Sequence, residues 1–200
     1  MNEFLKTEYE QCLSLIKYYD ERHHALIKYA AGLSGAIPSL LLAIYKLDGN
    51  SGQYFWHFAF IISLVTTFGL LSIFTVLIQT RLYFIYPVRQ VNSIRKYCLN
   101  ELGNTEFNNQ MYLNTSFNAF KWLSSHTLLN LFTGMQVGTF AGLSVYSYMT
   151  LSNSQQCIIH YSVGSGLLLG IVLFASSALY LYQSSKNKPD KSIHREGDNQ

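Results

Sequence analysis

The chain has 200 residues, of which 49% are hydrophobic and 12% are Asp, Glu, Lys or Arg, and its formal net charge is +3. This charged fraction is about half of the ~25% found in soluble domains, which excludes a water-facing surface for most of the chain. Three cysteines without a CxxC pair argue against a disulfide framework, and the small net charge argues against direct nucleic-acid binding.

Residues 1–28 carry an apolar stripe whose members alternate by four and three residues, which predicts an amphipathic helix. Fewer than four heptads favour packing against other helices of the same chain over a coiled coil between chains. The first predicted span, residues 29–46, follows directly and has Pro38 at its middle, which predicts a kink. The stripe consists of Leu5, Tyr9, Cys12, Ile16, Tyr19, His23 and Leu26.

The second predicted span covers residues 57–78, which lie in an uncharged stretch behind the aromatic cluster at residues 54–56. Residues 79–127 are predicted to form a helical connection between the second and third spans. Its first helix contains Pro87 and is expected to end at a glycine cap near Gly103.

A run of 64 residues between Lys121 and Lys186 contains no Asp, Glu, Lys or Arg. It is long enough for two membrane-spanning helices, because each needs about 20 apolar residues. We therefore predict the third span at residues 128–149 and the fourth at 158–182, joined by a polar turn. Residues 183–200 have the polar, proline-containing composition of a disordered tail.

The distribution of basic residues predicts the orientation of these spans. Of the 14 Lys and Arg residues, only Lys46 falls in the connections after the first and third spans. Basic segments stay in the cytoplasm, so both termini and the residue 79–127 connection are expected there, with the chain in the bacterial cytoplasmic (inner) membrane. The predicted fold class is all-α, an integral membrane bundle of four transmembrane helices with cytoplasmic helical extensions.

Three glycines at four-residue spacing, Gly134, Gly138 and Gly142, form two overlapping GxxxG motifs in the third span. Glycine lets another helix backbone approach closely, which drives helix association in lipid. The partner is either another span of the same chain, for instance the fourth through Gly166 and Gly170, or a second copy of the chain. A pore would also need a polar lining, which the third span supplies only in part.

The first part of the connection is rich in basic and aromatic residues. Arg89, Asn92 and Lys96 lie at i, i+3 and i+7, with Arg95 adjacent and Arg81 two turns earlier. This pattern is typical of positive-inside segments beside a membrane, and it also suits contact with anionic headgroups or an acidic partner protein. Binding of RNA phosphates is the less favoured interpretation.

The sequence predicts no catalytic, cofactor or metal site, so the chain is expected not to be an enzyme. Apart from Lys46 at the boundary of the first span, no Asp, Glu, Lys or Arg lies inside the four spans, which argues against ion-coupled transport. The chain has His57, His126 and His160 near span ends, where the boundary between membrane and water suits an amphipathic ring. His23 and His24 are adjacent, so their side chains diverge on a helix and cannot easily share a metal.

The stretches YYDERHHALIKYA and RQVNSIRKYCLN, together with four spans and both termini inside, resemble small membrane proteins of bacterial antiviral loci. The outline is similar to the four-span accessory protein of type VI-B CRISPR systems, and also to the membrane subunit of the Kiwa defence system. The resemblance implies a regulator of a cytoplasmic nuclease. Two alternatives stay open: a homo-oligomeric, channel-like effector that depolarises the membrane, and a structural subunit of an unrelated membrane complex.

Overall fold

The computed structural model describes residues 3–48, 53–102, 113–116, 118–153 and 156–186. They form four helices: α1, Glu3–Leu47; α2, Gln53–Leu102; α3, Ser125–Leu151; and α4, Ile158–Ser184. The all-α fold class is confirmed, and each of the four helices is long and apolar enough to cross a membrane.

The helices pack in the order of the chain. α1 packs on α2, α2 on α3, and α3 on α4, while α1 and α4 do not meet in the described part of the molecule. The bundle is therefore open, with α1 and α4 at its two edges. Each edge helix keeps one long face that no other described helix covers.

The main apolar core lies where α1, α2 and α3 meet. The hydroxyl groups of Ser144 and Thr133, among the membrane-spanning parts of these helices, are hydrogen-bonded. The Ser144 hydroxyl donates to the Ser63 hydroxyl across α3 and α2 at 2.9 Å, and the Thr133 hydroxyl donates to the carbonyl of Leu129 one turn earlier at 2.9 Å. The buried core residues are Ala30, Ile37, Leu41, Ala59, Leu70, Phe74, Val137 and Phe140.

Side chains mark the ends of the helices. Asp48 follows α1 and accepts a hydrogen bond from the Phe55 backbone N–H at the start of α2, at 2.9 Å. The Ser124 hydroxyl caps α3 by accepting from the Thr127 N–H at 3.3 Å. Cys157 precedes α4 with a φ of 59° in the left-handed region. The side chains of Asp48 and Ser124 supply partners for backbone groups that the ends of helices leave unpaired, whereas that of Cys157 makes no cap hydrogen bond.

Two of the helices run well beyond the predicted spans. The helical extensions are residues 3–28 of α1 and 79–102 of α2, and the second extension alone is about 36 Å long at 1.5 Å per residue. Pro38 and Pro87 both lie inside continuous helices. The extensions pack on each other along their length, so the two form one projecting helical pair.

The predicted helical connection over residues 79–127 is only partly helical. Residues 113–116 and 118–124 are irregular, because Asn114 accepts from the Ser116 N–H in an Asx turn and Ser124 starts α3. Gly103, the expected helix cap, lies outside the described residues. So do residues 187–200, which make up most of the predicted tail, while α4 itself continues to Ser184.

Candidate functional site

The structure brings all five predicted packing glycines to one interface, between α3 and α4. A Cβ added at Gly138 would lie 2.3 Å from the carbonyl oxygen of Gly166, and one added at Gly166 would lie 2.6 Å from that of Gly138. A Cβ at Gly142 would lie 2.6 Å from the Ser162 carbonyl oxygen. Gly134 faces Gly170 more loosely, with 3.5 Å to its carbonyl oxygen. The tandem motif is therefore occupied by α4 of the same chain.

The helical extensions contact each other through aromatic and basic side chains. The Arg95 guanidinium donates to the Tyr9 hydroxyl at 3.0 and 3.2 Å and lies over the Tyr9 ring, 5.6 Å from its centre. Tyr19 stacks on Tyr83 with ring centres 6.3 Å apart. Cys12, from the predicted apolar stripe, is buried. The stripe of residues 1–28 thus includes side chains that pack against α2.

Four of the five residues predicted to contact a partner or headgroups make contacts within the chain. Arg81 is 4% exposed and donates from Nε to the Ala119 carbonyl at 3.1 Å. Asn92 is 2% exposed and donates to the Asn114 carbonyl at 2.8 Å. Arg89 donates to the carbonyl of Ser185, just beyond α4, and Arg95 holds Tyr9 as described. Lys96 is the one member of the set that is exposed.

Three of these internal contacts have a common physical reason. Arg81, Arg89 and Asn92 supply donors to carbonyls that lie outside the helices, in the irregular segment before α3 and just after α4, and that have no partner within a helix. Helical spacing places Arg89, Asn92 and Lys96 on one side of α2, but it does not reveal that this side is covered. Arg81, Arg89 and Asn92 therefore form a clamp that fixes Asn114, Ala119 and the end of α4 to α2.

A histidine pair, of which His23 is buried and His126 partly buried, lies beside Arg81. The ring of His23 on α1 meets the ring of His126 on α3 with centres 4.5 Å apart, and Phe84 lies 5.9 Å from His126. Burial, then the neighbouring His126 and Arg81, lowers the pKa of His23 to about 4. Burial and Arg81 lower the pKa of His126 to about 4 as well. Both rings are neutral at pH 7, whereas Arg81 keeps its charge because burial lowers its pKa only to about 10.

The histidine pair could not be predicted from the sequence pattern. His23 and His126 are far apart in the chain, and each alone is compatible with a ring placed near a span end. The only available signal is that both precede an apolar span by a few residues, on helices that are predicted to cross the membrane in the same direction. Among the described residues, no three His, Cys, Asp or Glu side chains come together to hold a metal.

The exposed face of the α2 extension is rich in tyrosine. Tyr83, Tyr86 and Tyr97 are 52%, 53% and 52% exposed, and their spacing of three and eleven residues places them on one side of the helix. We call these three residues the tyrosine face. Tyr97 lies 19 residues after Ile78, or about 28 Å beyond the end of the predicted apolar span. That distance is too large for an interfacial aromatic belt, since a headgroup layer is only about 5–8 Å thick.

No protein-family model, curated protein or solved structure matches this chain. The fold itself defines the class, an all-helical protein with four helices long and apolar enough to span a membrane.

Proposed function

We propose that this chain is an integral protein of the bacterial cytoplasmic membrane and acts as a non-enzymatic accessory or regulatory protein of an antiviral, CRISPR-type defence system. It modulates a cytoplasmic nuclease through its helical extensions, which lie in the cytoplasm together with both termini. The four apolar helices support the membrane anchor, and the resemblance of YYDERHHALIKYA and RQVNSIRKYCLN to proteins of antiviral loci supports the role.

The observation that carries the proposal is the tyrosine face. Tyrosine is enriched at the centres of protein interfaces because it gives a large contact area and a hydrogen bond at low entropic cost. Tyr97 is half exposed at a height where lipid cannot cover it. The extension that carries it is held rigid by contacts to Tyr9 and Asn114. A rigid, exposed aromatic face fits a protein partner.

The same contacts favour a protein partner over nucleic acid. Arg81 is buried, and Arg89 and Arg95 donate to groups of the same molecule, so few basic groups at the surface of the extension are free to meet the phosphates of a nucleic acid. Membrane lipids remain the second partner of the chain, along the apolar faces of α1 and α4.

The proposal is tested in a bacterium that carries the defence locus. Deletion of this gene should change phage plating efficiency, and the intact gene should restore it. A variant with Tyr86→Ala and Tyr97→Ala should reach the membrane at normal levels and fail to restore it. The matched control is Tyr161→Ala, which removes a tyrosine of 62% exposure near the start of α4. Equal restoration by both variants would contradict a role for the tyrosine face.

A homo-oligomeric, channel-like effector is the second candidate, and the outer face of α1 favours it. Gly32, Gly35, Ala36, Ser39 and Ala43 lie on one side of this edge helix, all exposed, and a Cβ at Gly32 or Gly35 would meet nothing within 4 Å. Small residues on a lipid-facing side suit close packing of another helix. A potential-sensitive dye separates the two candidates: depolarisation when the defence system is triggered supports the channel, and an unchanged potential counts against it.

A further inference from the structure

A positive charge is buried where α1, α2 and α3 meet, and no described carboxylate contacts it. Arg81 is 4% exposed, and no described carboxylate oxygen lies within 4.0 Å of its guanidinium. Asp20 is close enough to favour its charge, but this carboxylate contacts His24 at 3.8 Å. A buried charge without a partner is costly, so proteins seldom leave one unpaired.

Two histidine rings with unused nitrogens lie beside this charge. His23 is 1% exposed, and neither of its ring nitrogens has a hydrogen-bond partner within the described structure. The buried Nδ1 of His126 has none either. Because more than about 90% of buried polar groups in proteins are hydrogen-bonded, these atoms point to a group that the described residues do not supply.

The first turn of α3 adds a partial positive charge at the same place. α3 is 27 residues long, begins at Ser125 and has no acidic residue in its first turn. His126 belongs to that turn. The unpaired N–H groups and the dipole at a helix N-terminus favour anions, phosphate in particular.

We propose that Arg81, His23, His126 and the first turn of α3 form a binding site for a phosphate group. The planar guanidinium can donate two parallel hydrogen bonds to phosphate oxygens, and the histidine N–H groups reach the others. No hydrogen bond holds the His23 ring, so its donation to a ligand breaks none. The bound group supplies the negative charge and the hydrogen-bond acceptors that the junction lacks.

The depth of the site suggests two sources for this phosphate. Arg81 lies three residues after the second predicted span and His126 two residues before the third, which places both at the level of lipid headgroups. The phosphate belongs either to a phospholipid headgroup or to a soluble molecule of the cytoplasm. The recognition chemistry is the same in both cases.

The test uses the full chain purified in dodecyl maltoside, a detergent without phosphate. In one arm sodium phosphate is added at constant ionic strength set with chloride, and in the other dioleoyl phosphatidylglycerol is added to the micelles. Ligand at ten times its dissociation constant should raise the melting temperature by about 3 to 5 °C. A rise in both arms identifies a site open to soluble phosphate, and a rise with lipid alone identifies a headgroup site.

Two variants of α2 separate the site from general charge effects. Arg81→Gln should lose the rise in melting temperature. Lys96→Gln removes the same charge from an exposed position on the same helix and should keep it. An equal rise in wild type and Arg81→Gln, or no rise in either arm, would overturn the proposal.

If Arg81→Gln does not fold, a measurement on the unmodified protein tests the phosphate site. The charged and ionisable groups facing the two rings are Arg81 from α2 and Asp20 and His24 from α1. A bound phosphate adds a negative charge to this set, so titration followed by 15N NMR of labelled histidine should show the His23 and His126 pKa values raised by about one unit or more. Identical titration curves with and without saturating ligand would also overturn the proposal.

Discussion

Replacement of Gly138 by alanine tests the α3–α4 interface at its closest point. The added methyl carbon would lie 2.3 Å from the Gly166 carbonyl oxygen and 3.2 Å from the Gly170 nitrogen. Ordinary contact begins at 3.4 Å, so the helices must separate by about 1 Å at the crossing. A gap of this size forfeits about a quarter to a half of each dispersion contact, and overpacking of this kind costs about 1 to 3 kcal/mol.

The assay is unfolding of the purified protein in mixed micelles with increasing dodecyl sulfate. We expect Gly138→Ala to lower the free energy of unfolding by about 2 kcal/mol and Gly138→Ile to lower it further. The matched control is Gly164→Ala on α4, where the added Cβ meets nothing within 4 Å, so stability should stay unchanged or rise.

Adding Gly166→Ala to Gly138→Ala should cost less than its separate effect, because the first substitution has already opened the interface. Equal midpoints for Gly138→Ala and Gly164→Ala would refute the close approach of α3 and α4.

Two further predictions concern polar groups near the α1–α2–α3 junction. Asn92→Leu leaves the Asn114 carbonyl unpaired and should lower the free energy of unfolding by about 1 to 3 kcal/mol in the same assay. The control Ser93→Ala, at an exposed neighbouring position, should change it by no more than about 0.5 kcal/mol. Similar losses in the two variants would contradict the clamp. Burial lowers the pKa values of His23 and His126 to about 4, so the unfolded chain binds more protons than the folded chain between pH 4 and 6.5. Without phosphate, the free energy of unfolding should be at its maximum above about pH 6.5 and should fall toward pH 4 by up to about 3 kcal/mol per histidine. In the His23→Gln variant this fall should be smaller. A constant free energy of unfolding over this pH range would contradict the burial of the two rings.

The helices could be predicted from the sequence because their signals are local. A stretch of about 20 residues without charged side chains predicts a membrane span. Glycines at four-residue spacing predict a packing side of α3, but they do not show which helix packs there. The neighbour itself is not a local property. Only the structure shows that α4 packs over Gly138. Because α4 takes this position, the small residues of α1, including Gly32 and Gly35, stay uncovered.

The candidate site was less predictable for the same reason. Spacing puts Arg89, Asn92 and Lys96 on one side of α2. The covering of Asn92 depends on Asn114, which lies in an irregular segment without a periodic pattern. Tyr97, which lies off that side of the helix, is exposed. The pairing of His23 with His126 depends on how α1 packs beside α3, which no spacing within either helix records.

Accessibility of single cysteines tests the membrane arrangement and the position of the tyrosine face together. One variant carries Cys12→Ala and Cys98→Ala, so that Cys157, exposed at the start of α4, is the remaining cysteine. The second variant adds Cys157→Ser and Tyr97→Cys. A membrane-impermeant maleimide should label the first variant in intact cells and the second only after the membrane is permeabilised. Labelling of the Tyr97→Cys variant in intact cells, or of Cys157 only after permeabilisation, would contradict the account.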